Sequence, residues 1–262
     1  MILSVVDVKG EILAKVQEEE ELNLVLNRVY ERGDQIILYD IKAPCYLVMQ
    51  VDDALGEALI YVSQDQIKYV IPFDEKKVCY SPKTFFGKLH VLTARYATQE
   101  EIMGERNLAL NVMDQHEFQG YYPHGSANVE TRGEAVFAAQ NAIDGIKCNT
   151  SHGEWPYGSW GINQRKDATI KIDLGRMVEV DKLILYTRAD FPHDSWWTQV
   201  TVTFSDGTSI KYPLEKTKKA QVLMVPKRKI SWVMLSELIK AEDESPFPAL
   251  TQIEIYGREV IE

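Results

Sequence analysis

Short β-branched and aromatic runs, each closed by a turn signal, fill this chain from its first residues, and that punctuation limits it to stacked strands. ILSVVDV (2–8) ends at Lys9-Gly10. QIILY (35–39) follows the turn Arg32-Gly33-Asp34. YLVMQV (46–51), ALIYV (58–62), IKYVI (67–71, stopped by Pro72) and LHVLTA (89–94) continue the series. In the second half, 168–175, 182–186, 199–204, 209–212, 221–225, 230–235 and 251–256 read the same way, with Ser205-Asp206-Gly207 as a hairpin turn. Strands in sequence with few helices between them predict an antiparallel, all-β protein.

The length of 262 residues suits two domains of ordinary size. Residues 1–97 are expected to form one β-sandwich and residues 121–262 another. Residues 98–120 change character and are too apolar for a free linker, so they are expected to pack as a connecting segment. Thr98 and Glu101 have the spacing of a capping box. GEAVFAAQNA (133–142) is Ala-rich and reads as a short helix, ended by the Asp144-Gly145 turn.

Charge excludes some partners. With 29 Lys+Arg against 39 Asp+Glu, the net charge of −10 disfavours nucleic acid, whose backbone needs a basic face, and an anionic membrane surface. Cys45, Cys79 and Cys148 are odd in number and have no CxxC pair, which fits neither a disulfide framework nor a zinc site. The start lacks a basic n-region and no apolar run approaches bilayer length, so a cytoplasmic location is expected.

Five stretches carry a resemblance. They are Ser126-Ala127-Asn128-Val129, Asn141-Ala142-Ile143-Asp144-Gly145, IKIDLG (170–175), VTVTFSDGT (200–208) and LTQIEIYG (250–257). In this order and spacing they resemble the discoidin, or coagulation factor V/VIII type C, domains and their relatives, the family-32 carbohydrate-binding modules and the F-type lectins. The resemblance covers the second half. It implies a jelly-roll sandwich of galactose-binding-like kind, with ligand loops at one end. The first half matches no motif; a further galactose-binding-like jelly-roll is one expectation for it.

Sugar recognition asks for an aromatic face against the C–H side of a pyranose and for planar, multi-donor groups on its hydroxyls. Four of the five tryptophans fall in two loops: Trp155 and Trp160, then Trp196 and Trp197. His152, Tyr157, Arg188, Asp190, His193 and Asp194 stand beside them. Any of the tryptophans is alternatively a core residue, and strand alternation lets only one of Trp196 and Trp197 point to a given face. Arg188-Ala189-Asp190-Phe191-Pro192-His193 is similar to the F-type lectin stretch Arg-x-Asp-x-x-(Arg/Lys), with His193 as the departure; a plain Arg188–Asp190 ion pair is the alternative. Asn141–Gly145 with Asn149 and Thr150 also resembles the family's calcium loop, which implies Asp144, Asn149, Thr150 and Gln252 as ligands of a structural calcium. Two departures weaken that set: Ile146 stands where an Asn or Asp is common, and Gln252 where relatives often have Glu. An Asp-capped turn without metal is the alternative.

No GxGxxG, GxxxxGK, GxSxG or HExxH motif occurs. The expected function is non-catalytic carbohydrate binding by loops of the second sandwich. The rivals are a sugar- or glycoside-active enzyme using acids of those loops, and a protein–protein adaptor anchored by exposed aromatics.

Overall fold

The computed structural model describes residues 1–150, 152–190 and 195–260. It is all-β, with short 3-10 turns and one brief α-helix. The first half carries β1 (Ile2–Val6), β2 (Ile12–Gln17), β3 (Glu21–Asn27), β4 (Gln35–Tyr39), β5 (Cys45–Gln50), β6 (Ala58–Val62), β7 (Gln66–Val70) and β8 (Leu89–Tyr96). Helix α1 (Gln99–Met103), β9 (Arg106–Asn107) and β10 (Tyr121–Tyr122) follow. The rest comprises β11 (His124–Ala127), β12 (Trp160–Gly161), β13 (Ile170–Thr187), β14 (Trp197–Phe204), β15 (Ser209–Pro213), β16 (Gln221–Lys240) and β17 (Ala249–Glu259).

Two sheets, ordered β2-β1-β4-β7 and β10-β6-β5-β8-β3, make the first sandwich. Its patterning is the period of two that a half-buried strand requires. In β3 the leucines Leu22, Leu24 and Leu26 are buried while Glu21, Asn23, Val25 and Asn27 face outward. They meet Leu3, Val5, Ile36, Leu38, Leu47 and Ile60 in one core.

The second half is built differently from a row of short strands. Residues 168–175 and 182–186 are parts of one 18-residue strand, β13, and 221–225 and 230–235 belong to the 20-residue β16. Register shifts between Asp173 and Val178, and between Val180 and Lys182, bend this pair so that it serves both walls of the sandwich. Gly175 sits at the bend with φ +70, and a Cβ there would lie 2.2 Å from the Tyr122 ring. Only glycine meets both demands. Trp160, Ile172, Leu183, Trp197, Val202, Phe204, Val233 and Ile255 fill the core.

The Ala-rich stretch does not form the expected helix. It makes three 3-10 turns, Thr131–Gly133, Ala135–Phe137 and Ala139–Ile143. Local side chains divert its backbone groups: Glu130 accepts from Ala139 N at 2.8 Å, and Asn141 donates to the Ala135 carbonyl at 2.8 Å. The capping box of α1 forms as read, with Thr98 and Glu101 exchanging bonds.

The connecting segment is woven into both sandwiches. β9 pairs with Gly257 and Tyr256 of β17, and Leu108 and Ala109 enter the second core. Met113 and Tyr121 then enter the first core, where β10 extends the sheet beside β6. The junction closes on Glu259. Its carboxylate accepts from Tyr46 Oη at 2.7 Å and from Arg106 Nη2 and Arg176 Nη2, each at 2.6 Å. The Arg176 guanidinium also lies 5.4 and 5.3 Å from the Tyr46 and Tyr61 ring centroids.

Glu259 is 4% exposed, so removing its carboxylate strands two guanidiniums in a dry junction. Glu259→Ala is expected to cost ~3–5 kcal/mol in urea unfolding. A fragment beginning at residue 98 is expected to melt well above one beginning at 121, because the shorter piece loses β9 and the core residues Leu108 and Ala109. Equal melting temperatures for the two fragments would show that the connecting segment adds nothing to the second core.

Candidate functional site

Three pieces of chain converge at one end of the second sandwich. The 3-10 turns bring Thr131, Arg132 and Phe137. β12 pairs with Leu250 and Ala249 and so sets Gly161, Ile162 and Asn163 along the rim. β13 ends by presenting Arg188, whose amide donates to the Ala249 carbonyl at 2.8 Å. Gly161 is required for the approach, since a Cβ there would meet Thr131 Oγ1 at 2.6 Å. Together these residues, with His152, Tyr157, Gln164, Phe247 and Pro248, enclose a cavity of about 140 Å³. Pockets for drug-sized ligands run to roughly 300–1,000 Å³, so this one suits a single small ring.

Arg188 is the centre of the arrangement. It is only 2% exposed and lies flat on Tyr157, guanidinium carbon to ring centroid 3.8 Å. Its Nη1 donates to the Tyr157 carbonyl at 2.9 Å. Nε is 3.3 Å from Asp190 Oδ1, an ion pair without hydrogen-bond geometry. Nε, Nη2 and Asp190 Oδ1 are all buried and, among the described residues, hydrogen-bonded to nothing. Such groups cost free energy unless something satisfies them. Asp190 Oδ2 is steadied by Asn149 Nδ2 at 2.8 Å. Burial lowers the Arg188 pKa from its ordinary value and raises that of the Tyr157 phenol. The guanidinium still keeps its charge at neutral pH.

His152 joins the same cavity, its ring 4.7 Å from Tyr157 and 6.4 Å from Phe137. His193 and Asp194 lie outside the described residues. The tryptophans do not serve as expected. Trp160 is fully buried and its indole N–H donates to the Val129 carbonyl at 2.9 Å. Trp197 is 1% exposed and packs 6.4 Å from Trp160. Both are core residues, because rings of that size gain most by leaving water entirely. Trp196 is half-buried, does not line the cavity, and accepts from Ala241 N through its carbonyl. Trp155 is 36% exposed, but it turns toward the first sandwich, with its amide on the Val78 carbonyl at 3.1 Å, and lines a groove with Val78, Tyr80 and Pro82. The aromatic walls of the cavity are Phe137, Tyr157 and Phe247 instead. Phe137 and Phe247 were not singled out from sequence; Phe137 reads there as one apolar residue of a helix.

The residues of the calcium loop do not fit the ion. Calcium takes six to eight oxygens. Here the side-chain amide of Gln252 donates to the Asn141 carbonyl and to Asp144 Oδ1, and its oxygen accepts from Gly145 N at 3.0 Å. Asp144 Oδ1 also accepts from Ile146 N at 2.7 Å. Asn149 turns to Asp190, and Thr150 is exposed. Among the described residues no group of three or more His, Cys, Asp or Glu is placed to hold a metal. Burial of the Asp144 carboxyl away from water pushes its pKa up to about 8, against the hydrogen bonds from Ile146 and Gln252 that pull it down.

No family model and no curated protein matches this sequence. Solved structures resemble part of it. Chitosan-binding module 1, derived from a chitosanase/glucanase of Paenibacillus sp. IK-5, aligns with a TM-score of 0.40 at 19% identity, over 58% of this chain and 99% of that one. A fucose-binding module of Streptococcus pneumoniae gives 0.42 at 16% identity, over 59% and 99%. The family 32 carbohydrate-binding module of C. perfringens NanJ gives 0.38 at 15% identity, over 50% and 91%. Likenesses this loose carry no functional argument.

Asp144 supplies a pH test. Its folded pKa is raised above an unfolded value of ~3.9, so its contribution to stability is full at low pH and is lost as pH rises toward about 8. Asp144→Asn mimics the protonated side chain. The variant's melting temperature relative to wild type is therefore expected to rise steadily between those limits. A pH-independent difference would place the Asp144 pKa near its ordinary value.

Proposed function

We propose that this protein binds a neutral saccharide, without catalysis, in the cavity around Arg188. The observation that carries the reading is the unbonded edge of Arg188, Nε and Nη2, next to the unbonded Oδ1 of Asp190. A guanidinium edge offers two parallel donors, and a carboxylate oxygen offers an acceptor. Adjacent hydroxyls of a sugar answer both at once, accepting from the fork and donating to Asp190. Phe137, Tyr157 and Phe247 supply apolar surface for the C–H face, and His152 and Asn163 add polar groups at the rim. Asp190 sets the charge class: the carboxylate of an acidic sugar would bring only acceptors and a negative charge beside a carboxylate.

Titration with a panel of neutral monosaccharides, followed by NMR or calorimetry, tests the proposal. Arg188→Ala is expected to weaken binding by ~1.5–3 kcal/mol, roughly ten- to a hundredfold. Arg188→Lys is expected to fail as well, because an ammonium cannot fork. Trp160→Ala is expected to cost ~3–5 kcal/mol of stability rather than a ligand contact. The proposal is sunk if a broad glycan screen finds no ligand, or if Arg188→Ala leaves the affinity of a bound sugar untouched.

A further inference from the structure

We infer that Gln252 takes the place of a cation in this fold: its side-chain amide, rather than a bound metal, closes the loop over residues 141–146. The geometry is specific. Gln252 is 1% exposed and rises from β17 beneath the loop. Its NH2 reaches two oxygens that a cation in this loop would attract, the Asn141 carbonyl at 2.6 Å and Asp144 Oδ1 at 2.5 Å. Its carbonyl oxygen receives Gly145 N, which turns at φ +86. Ile146 N completes the set on Asp144 Oδ1 at 2.7 Å.

An amide can do this because it carries donors and an acceptor on one plane. A carboxylate at 252 has no donor for the Asn141 carbonyl, and once Asp144 is ionised as well the two carboxylates repel unless a cation lies between them. The choice of Gln over Glu at one position therefore decides between closure by hydrogen bonds and closure by metal. The loop so fixed runs on to Asn149, whose side-chain amide donates to Asp190, the carboxylate paired with Arg188.

The test reads loop closure by melting temperature, and so stands apart from whether the cavity binds a sugar. In wild-type protein, excess calcium and excess chelator are expected to give the same melting temperature. Gln252→Glu is expected to melt lower in chelator and to regain stability on adding calcium. Asp144→Asn keeps the acceptor for Gln252 and Ile146, and is expected to hold the loop at neutral pH where Asp144→Ala does not. The inference is overturned if chelator lowers the wild-type melting temperature and calcium restores it. It is equally overturned if Gln252→Glu melts identically with and without calcium, or if Asp144→Asn loses as much stability as Asp144→Ala.

Discussion

Glu259 takes three charged or phenolic partners at the point where two sandwiches and their connection meet. Tyr46 comes from the first sandwich, Arg106 from the connecting segment and Arg176 from the bend of β13. Desolvating three charges is costly, and the opposed hydrogen bonds and Coulomb terms only offset it when the geometry is complete. The Arg106 and Arg176 guanidiniums hold the Glu259 carboxyl below its ordinary range although burial pushes the other way. What this junction supplies is a fixed orientation. The connecting segment gives a strand to the second sandwich and side chains to each core, and β10 just beyond it extends the first, so neither half has a complete core without it.

The loop end of the second sandwich follows the same rule of polar groups answered in sets. Gln252 fixes Asp144, Asn141 and Gly145, and Asn149 fixes Asp190. Tyr157 fixes Arg188 by its ring and its carbonyl. The chain of partners breaks at one place only within this set, at Arg188 Nε and Nη2 and Asp190 Oδ1. A group held rigidly on one side and left unbonded on the other is pre-organised for a ligand, since little side-chain entropy remains to be lost on binding.

How much of this was legible in the sequence differed by scale. Strands were legible because alternation and turn residues are local signals: β4, β6 and the Ser205-Asp206-Gly207 hairpin fall where their patterns put them, whereas β3, which follows an acidic run, was not read as a strand. The joining of short runs into β13 and β16 was not legible, because a bend at Gly175 looks the same as a strand end. The Ala-rich helix failed because Glu130, from just before the stretch, and Asn141, from within it, capture its backbone groups. Of the residues singled out for their chemistry, Arg188, His152 and Tyr157 line one cavity, with Asp190 paired to Arg188 behind it. The tryptophans were legible only as alternatives, stacking platform or core, because the same ring suits both; packing makes Trp160 and Trp197 core residues.

Charge at the cavity narrows what it suits. Two arginines and a histidine line it, which alone would favour an anion. Each arginine, however, is already matched: Arg132 forks onto Glu134 at 2.5 and 2.8 Å, and Arg188 faces Asp190. The field the cavity presents is therefore dipolar, within a chain whose net charge is −10. A carboxylate or phosphate ligand would have to displace a matched acid and approach a molecule that repels it at long range. A hydroxyl pair needs neither, because it satisfies the donor and the acceptor where they stand.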